Sequence, residues 1–140
     1  MKKLYNLLFL IFTISLMVRP VVLYAQVGVT SADEAKRVLE QYFDYLKNGK
    51  TSEILNLITG PLLEKREALL KNNASYGSFL KNYYKNAYLV ITSDVFTRND
   101  LLALRASIYF NAHDKSDFIF SFVYEGSNGS LKIYSEEEVL

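Results

Sequence analysis

The chain has 140 residues, 16 basic and 15 acidic, with no cysteine and no tryptophan. Without cysteine there can be no disulfide and no thiolate metal site, so a domain of this length must rely on an apolar core. Eleven tyrosines and nine phenylalanines supply much of it.

Residues 1–25 read as an export signal. Lys2 and Lys3 precede an apolar run from Leu4 to Val18 that is broken only by Asn6, Thr13 and Ser15. The segment closes on the small residue Ala25. Arg19 and Pro20 interrupt the run short of the roughly 20 apolar residues a spanning helix needs. Cleavage near Ala25 is the expectation, giving a periplasmic or secreted protein with no stable membrane anchor. No cysteine follows the run, so there is no thiol to acylate. Beyond Ala25 lie 115 residues, 13 basic and 15 acidic, for a net charge of −2. That length suits one domain. That charge disfavours a nucleic-acid partner and adhesion to anionic lipid.

Residues 26–31 form a tether. Ser31-x-x-Glu34 is a capping box, in which each side chain can bond the other's backbone amide. Ala35, Val38, Leu39, Tyr42 and Leu46 follow at helical spacing, and Asn48-Gly49 is a left-handed stop. These signals predict a helix over 32–47. Thr51 or Ser52 can cap a short second helix carrying Ile54, Leu55, Leu57 and Ile58. Pro61 suits the first turn of a third, with Leu62, Leu63, Leu69 and Leu70 apolar and Glu64, Lys65, Arg66, Glu67 and Lys71 expected in solvent. Tyr76, Phe79, Leu80, Tyr83 and Tyr84 mark a fourth helical piece, with Lys81 and Lys85 outward.

The period changes at Tyr88. Residues 88–97 are rich in β-branched and aromatic side chains and predict a strand. Arg98-Asn99-Asp100 is a turn, after which Leu102, Leu104, Ala106, Ile108 and Phe110 alternate with Ala103, Arg105, Ser107, Tyr109 and Asn111. A turn at 113–116 leads to Phe118, Phe120, Phe122 and Tyr124 on one face. Gly126 to Gly129 makes a hairpin loop, and Leu131 and Ile133 close the pattern. Glu136 to Glu138 read as a solvated end, with 137–140 a tail. Helices followed by an antiparallel meander of about four strands indicate an α+β domain over 32–136, its N-terminal helices covering a curved sheet.

Three stretches resemble the nuclear transport factor 2-like superfamily, the cone-shaped fold shared with ketosteroid isomerase and polyketide cyclases. They are Ala35 to Lys50, Thr51 to Thr59, and the closing hairpin of Phe118 to Tyr124 with Leu131-Lys132-Ile133. Family members often carry tryptophan where Leu131 stands. The resemblance implies a conical pocket between helices and sheet. In the enzymes, that pocket holds an aspartate beside a tyrosine or a second carboxylic acid. Small exported members are often of unknown function.

Asp44, Asp94 and Asp117 are the carboxylates to weigh for such chemistry. Asp94, placed mid-strand between Thr92 and Phe96, is the one candidate base. None matches a catalytic motif residue by residue. His113, the only histidine, sits at a hairpin tip without further ligands, so neither a metal nor a cofactor is indicated. Tyr42, Tyr45, Tyr84, Phe110, Phe120 and Tyr124 are the candidate lining of a ligand pocket, because tyrosine combines apolar area with one polar tip. Arg105, Ser107 and Tyr109 share the opposite sheet face, a candidate homodimer surface. The leading expectation is an exported, non-enzymatic domain that binds a small apolar ligand or a protein partner. One alternative is a lyase or isomerase using Asp94 as base and Tyr42 as donor. The other is a structural dimerisation module.

Overall fold

A computed structural model describes residues 31–127 and 129–139. Residues 1–30, which are the expected signal segment and all of the expected tether but Ser31, lie outside the described residues. Four helices precede five strands: α1 (31–48), α2 (Thr51–Leu57), α3 (Gly60–Asn72) and α4 (Tyr76–Tyr84), then β1 (Tyr88–Ile91), β2 (Phe96–Arg98), β3 (Leu101–Tyr109), β4 (Lys115–Glu125) and β5 (Ser130–Val139). The α+β class expected from the pattern is the class observed.

The Asn48-Gly49 stop works as its residues suggest. Gly49 has φ +66°. Its amide donates to Leu46 O at 3.2 Å, and Lys50 N donates to Tyr45 O at 3.0 Å. This double closure satisfies the last carbonyls of α1. The turn also abuts α4, since a Cβ at Gly49 would lie 2.5 Å from the carbonyl oxygen of Gly77. Gly49→Ala should therefore suffer twice, from a left-handed backbone at about 1–2 kcal/mol and from a backbone clash of similar size. Gly126 has φ +77° and open space within 4 Å of where a Cβ would stand, so Gly126→Ala should suffer only the first. Urea denaturation of the two variants checks the difference, and equal losses would refute the close approach.

The sheet is antiparallel in the order β1-β3-β4-β5, with β2 on the same edge of β3 as β1. β1 pairs with Ala106–Tyr109, and β2 pairs with Leu101–Ala103. The single strand expected over 88–97 is thus two. Between them the chain leaves the ladder, because Ser93 Oγ accepts from Arg105 N at 2.9 Å and donates to the Asp94 carbonyl at 2.8 Å. A side chain that bonds backbone groups in this way competes with strand pairing.

Leu104, Ala106, Ile108, Phe120, Phe122, Leu131 and Ile133 form the helix-covered face of the sheet. Against them pack Val38, Leu39, Tyr42 and Leu46 of α1, Ile54 of α2, Leu62 of α3, and Leu80 and Tyr84 of α4. α2 ends one residue before Ile58, which forms an isolated parallel bridge to Ile133. Thr59 N donates to the Ile133 carbonyl at 2.9 Å. The helical layer is thereby tied to the last strand.

β5 departs most from expectation. Glu136 to Val139 continue the strand rather than forming a solvated tail. The register slips within it: Phe122 faces Ile133, but Ser121 faces Ser135, so Tyr134 is an extra residue. A one-residue bulge reverses which face later residues occupy. Glu136 therefore pairs with Phe120 on the helix-covered face, while Ser135 and Glu137 turn to the outer face.

Candidate functional site

The bulge brings Glu136 to Arg66, on α3. Arg66 is expected in solvent from its charged neighbours, yet it is only 7% exposed. It lies one helical turn from both Leu62 and Leu70, a spacing that puts it on the buried stripe. Its Nη2 donates to Glu136 Oε2 at 3.0 Å and to Tyr42 Oη at 2.9 Å, and its Nη1 donates to Tyr76 Oη. Tyr42, only 1% exposed, donates its own hydroxyl to Glu136 Oε2 at 2.7 Å. Arg66 Nε is buried with no hydrogen-bond partner among the described residues. Three helices and the last strand meet in this cluster.

Its electrostatics follow from burial and pairing. Burial, reinforced by the Glu136 carboxylate, pushes the Tyr42 phenol well above its ordinary value. Burial likewise raises Tyr84, with Glu136 adding to the effect. Burial alone would lower Arg66, but the oxygens of Tyr42, Glu136 and Tyr76 outweigh it and hold the guanidinium charged. Tyr42 is thus a neutral hydrogen-bond donor to a carboxylate already paired with arginine. The arrangement is a brace across the core, and neither partner stands as a free base.

Of the expected pocket residues, the structure gathers Tyr42, Tyr84, Phe110 and Phe120. Phe120 meets Tyr42 edge-on at 6.5 Å, and Phe110 lies 5.8 Å from Tyr84. Each of these two pairs packs ring against ring. Tyr45 sits at the margin of the core, its hydroxyl accepting from Gln41 Nε2 at 2.8 Å. Tyr124 is 52% exposed, its hydroxyl 3.3 Å from Glu34 Oε2.

Asp94 lies in the break between β1 and β2 rather than mid-strand. Its side chain is fully exposed, 3.9 Å from Lys36 Nζ. An inward general base at this position is therefore corrected: the backbone leaves the ladder at Ser93 and carries Asp94 to the surface. Asp44 is exposed and accepts from Asn48 Nδ2. His113 is exposed at the loop before β4. Among the described residues no group of three or more His, Cys, Asp or Glu is placed to hold a metal. No described helix is long and apolar enough to cross a membrane.

The outer face carries its own polar pairs. Asp117 accepts from Ser107 Oγ and from Lys115 Nζ at 2.9 Å, and these bonds hold its carboxyl below the usual range. Lys132 and then Thr59 do the same for Glu125. A carboxyl whose folded pKa is depressed stabilises the fold above its unfolded value, and that contribution fades as pH falls through the folded value. Tm should therefore fall as pH drops below about 4. Asp117→Asn combined with Glu125→Gln should make the fall shallower. Both carboxylate side chains are about half exposed, so the effect should be small and should shrink in high salt. Thermal melts from neutral pH to about pH 3 at two salt concentrations check this.

Sequence reading missed Arg66, Tyr76 and Glu136. Only Arg66 left a signal, in the Leu62-Arg66-Leu70 spacing. On the outer face, Tyr88 and Tyr109 stack with ring centroids 4.8 Å apart, Val90 is exposed on the same strand as Tyr88, and Val139 is exposed across the sheet on β5. No family model matches the chain, and neither the curated proteins nor the solved structures yield a significant match.

Proposed function

We propose that this chain is an exported, non-enzymatic binding domain of nuclear transport factor 2-like type, which engages its partner on the outer face of the sheet. The observation that carries this reading is the occupied interior. Of the residues expected to line an inner pocket, Tyr42 is taken up in a bonded cluster with Arg66 and Glu136, and Tyr84 and Phe120 are buried in the core. A candidate base at Asp94 stands at the surface. The outer face, by contrast, offers the Tyr88–Tyr109 stack, exposed Val90 and Val139, and mixed charges. Exposed apolar groups rimmed by charge suit an interaction surface.

Native mass spectrometry of protein purified from its own host tests the proposal. The expected result is a chain beginning near Gln26, carrying a partner or ligand that Val90→Glu releases. A small apolar molecule retained one per chain and unaffected by Val90→Glu would overturn it. A second reading, a homodimer through the same face, is favoured by the same Tyr88–Tyr109 stack. It predicts a two-chain mass that Val90→Glu reduces to one.

A further inference from the structure

At one end of the outer face, a polar strap crosses the sheet. Arg98 lies on β2 and Glu137 on β5, with β3 and β4 between them in the strand order. Nevertheless, Arg98 Nη2 lies 2.9 Å from Glu137 Oε2. Small residues beneath make this possible: Ala103 is 0% exposed and Ser121 3%, although both lie on the face away from the helices. Beside the strap is a cleft of about 650 Å³, lined by Arg98, Asn99, Ser121, Tyr134, Ser135 and Glu137 among others. The volume falls within the range of small-molecule sites, about 300–1,000 Å³.

Three features mark this cleft as built. Tyr134 is the residue expelled by the bulge in β5, and its ring rests against Gly60, where a Cβ would lie 2.6 Å from Cε2. The aromatic wall is thus held before any ligand arrives, which lowers the entropic cost of binding. The opposite rim is the β2–β3 turn, where Asn99 and Asp100 both take positive φ, +50° and +62°. A two-residue hairpin requires that conformation at both positions, so the turn itself fixes the rim. Finally, Arg98 Nη1 is buried with no hydrogen-bond partner among the described residues. An unpaired buried donor is costly. A ligand oxygen that accepts from it removes that cost.

The chemistry of the walls selects the ligand class. Glu137 is paired with Arg98, the one cation among the described residues that line the cleft, so the lining carries no net positive charge, which disfavours an anion. Pro61, Leu101 and the Tyr134 ring give the cleft apolar wall, but Arg98, Glu137, Asn99 and the two serines in the same lining disfavour a wholly apolar ligand. An arginine beside a carboxylate presents a donor next to an acceptor, the complement of two neighbouring hydroxyl groups. An aromatic ring beside them offers a face to an apolar ring edge. We propose that this cleft binds a neutral saccharide, with vicinal hydroxyls on the Arg98–Glu137 strap and the sugar ring against Tyr134. The proposal rests on the reading of the outer face as the working surface and adds to it a ligand site that does not include Val90.

The test is amide NMR of the labelled domain titrated with cellotriose, maltotriose, chitotriose and trigalacturonate, each to about 10 mM, a range that captures weak binding. The expected result is saturable shifts at Asn99, Ser121 and Ser135 with at least one neutral trisaccharide. Arg98→Gln should weaken that binding by about tenfold, the loss expected for a charged hydrogen bond. Tyr134→Leu should weaken it without altering the shifts of Tyr42 or Arg66, which shows that the core remains folded. No saturable shift with any neutral trisaccharide overturns the proposal, as does tighter binding of trigalacturonate. If the sugars fail while Val90→Glu still releases a partner, only the ligand class falls. If shifts gather at Tyr42 and Arg66 instead, the outer-face reading falls with it.

Discussion

Arg66→Ala should cost about 3–5 kcal/mol of folding stability, the loss typical of breaking a buried ion pair. The variant leaves the Glu136 carboxylate, with its side chain only 13% exposed, supported by Tyr42 alone. It also strips the Tyr76 hydroxyl of its arginine donor. Such a loss is a large part of the 5–15 kcal/mol that typically holds a domain. Replacing both charges, Arg66→Met with Glu136→Leu, should cost far less, because no uncompensated charge remains and apolar groups fill the volume. Tyr42→Phe should fall between, at about 1.5–3 kcal/mol: it removes one hydrogen bond donated to Glu136 and one accepted from Arg66, but leaves those two charges paired with each other. Urea denaturation of the three variants measures the order. A loss below about 1 kcal/mol for Arg66→Ala would mean that water reaches the cluster and the brace is weak.

Phe120→Ala should cost a similar 3–5 kcal/mol, through lost burial and the cavity left behind. Phe120 is 1% exposed and sits at the middle of the helix-covered face, paired with Leu104 on β3 and Glu136 on β5. Its ring meets Phe118 at 5.9 Å and Tyr42 at 6.5 Å. Removing it therefore loosens the phenol that holds Glu136. Phe120→Ala and Tyr42→Phe should consequently be non-additive by about 0.5 kcal/mol or more, as expected for residues in contact. Phe120→Leu keeps much of the volume and should cost less than about 1.5 kcal/mol. Equal losses for Phe120→Leu and Phe120→Ala would show that ring shape, not volume, sets the packing there.

The two largest expected effects thus fall on residues of unequal legibility. Phe120 is plain in the sequence, because Phe118, Phe120 and Phe122 alternate with smaller or polar residues and strand side chains alternate strictly. The α1 stripe and its glycine stop are equally plain, since helical spacing and a left-handed residue are local properties. Arg66 could be recovered only by letting the Leu62-Arg66-Leu70 spacing outweigh its charge. Glu136 could not be recovered: in Glu136-Glu137-Glu138 nothing in the pattern separates one carboxylate from the next. Asp94 misled for a related reason. Residues 88–97 have strand composition throughout, and the departure at Ser93 depends on its bond to Arg105 N on another strand.

What the amino-acid order determined by itself was local: four helical segments before a β meander, the cap at Gly49, and a core face built from alternating phenylalanines and aliphatics. Those features follow from periodicities of 3.6 and 2 and from backbone preferences that neighbouring residues set. Tertiary structure alone decided which face the last strand presents after residue 133. One extra residue at Tyr134 reverses the parity of the strand, sending Glu136 inward to Arg66, 70 positions away, and Glu137 outward to Arg98. A register is a relation between strands, so no reading of one strand could supply it.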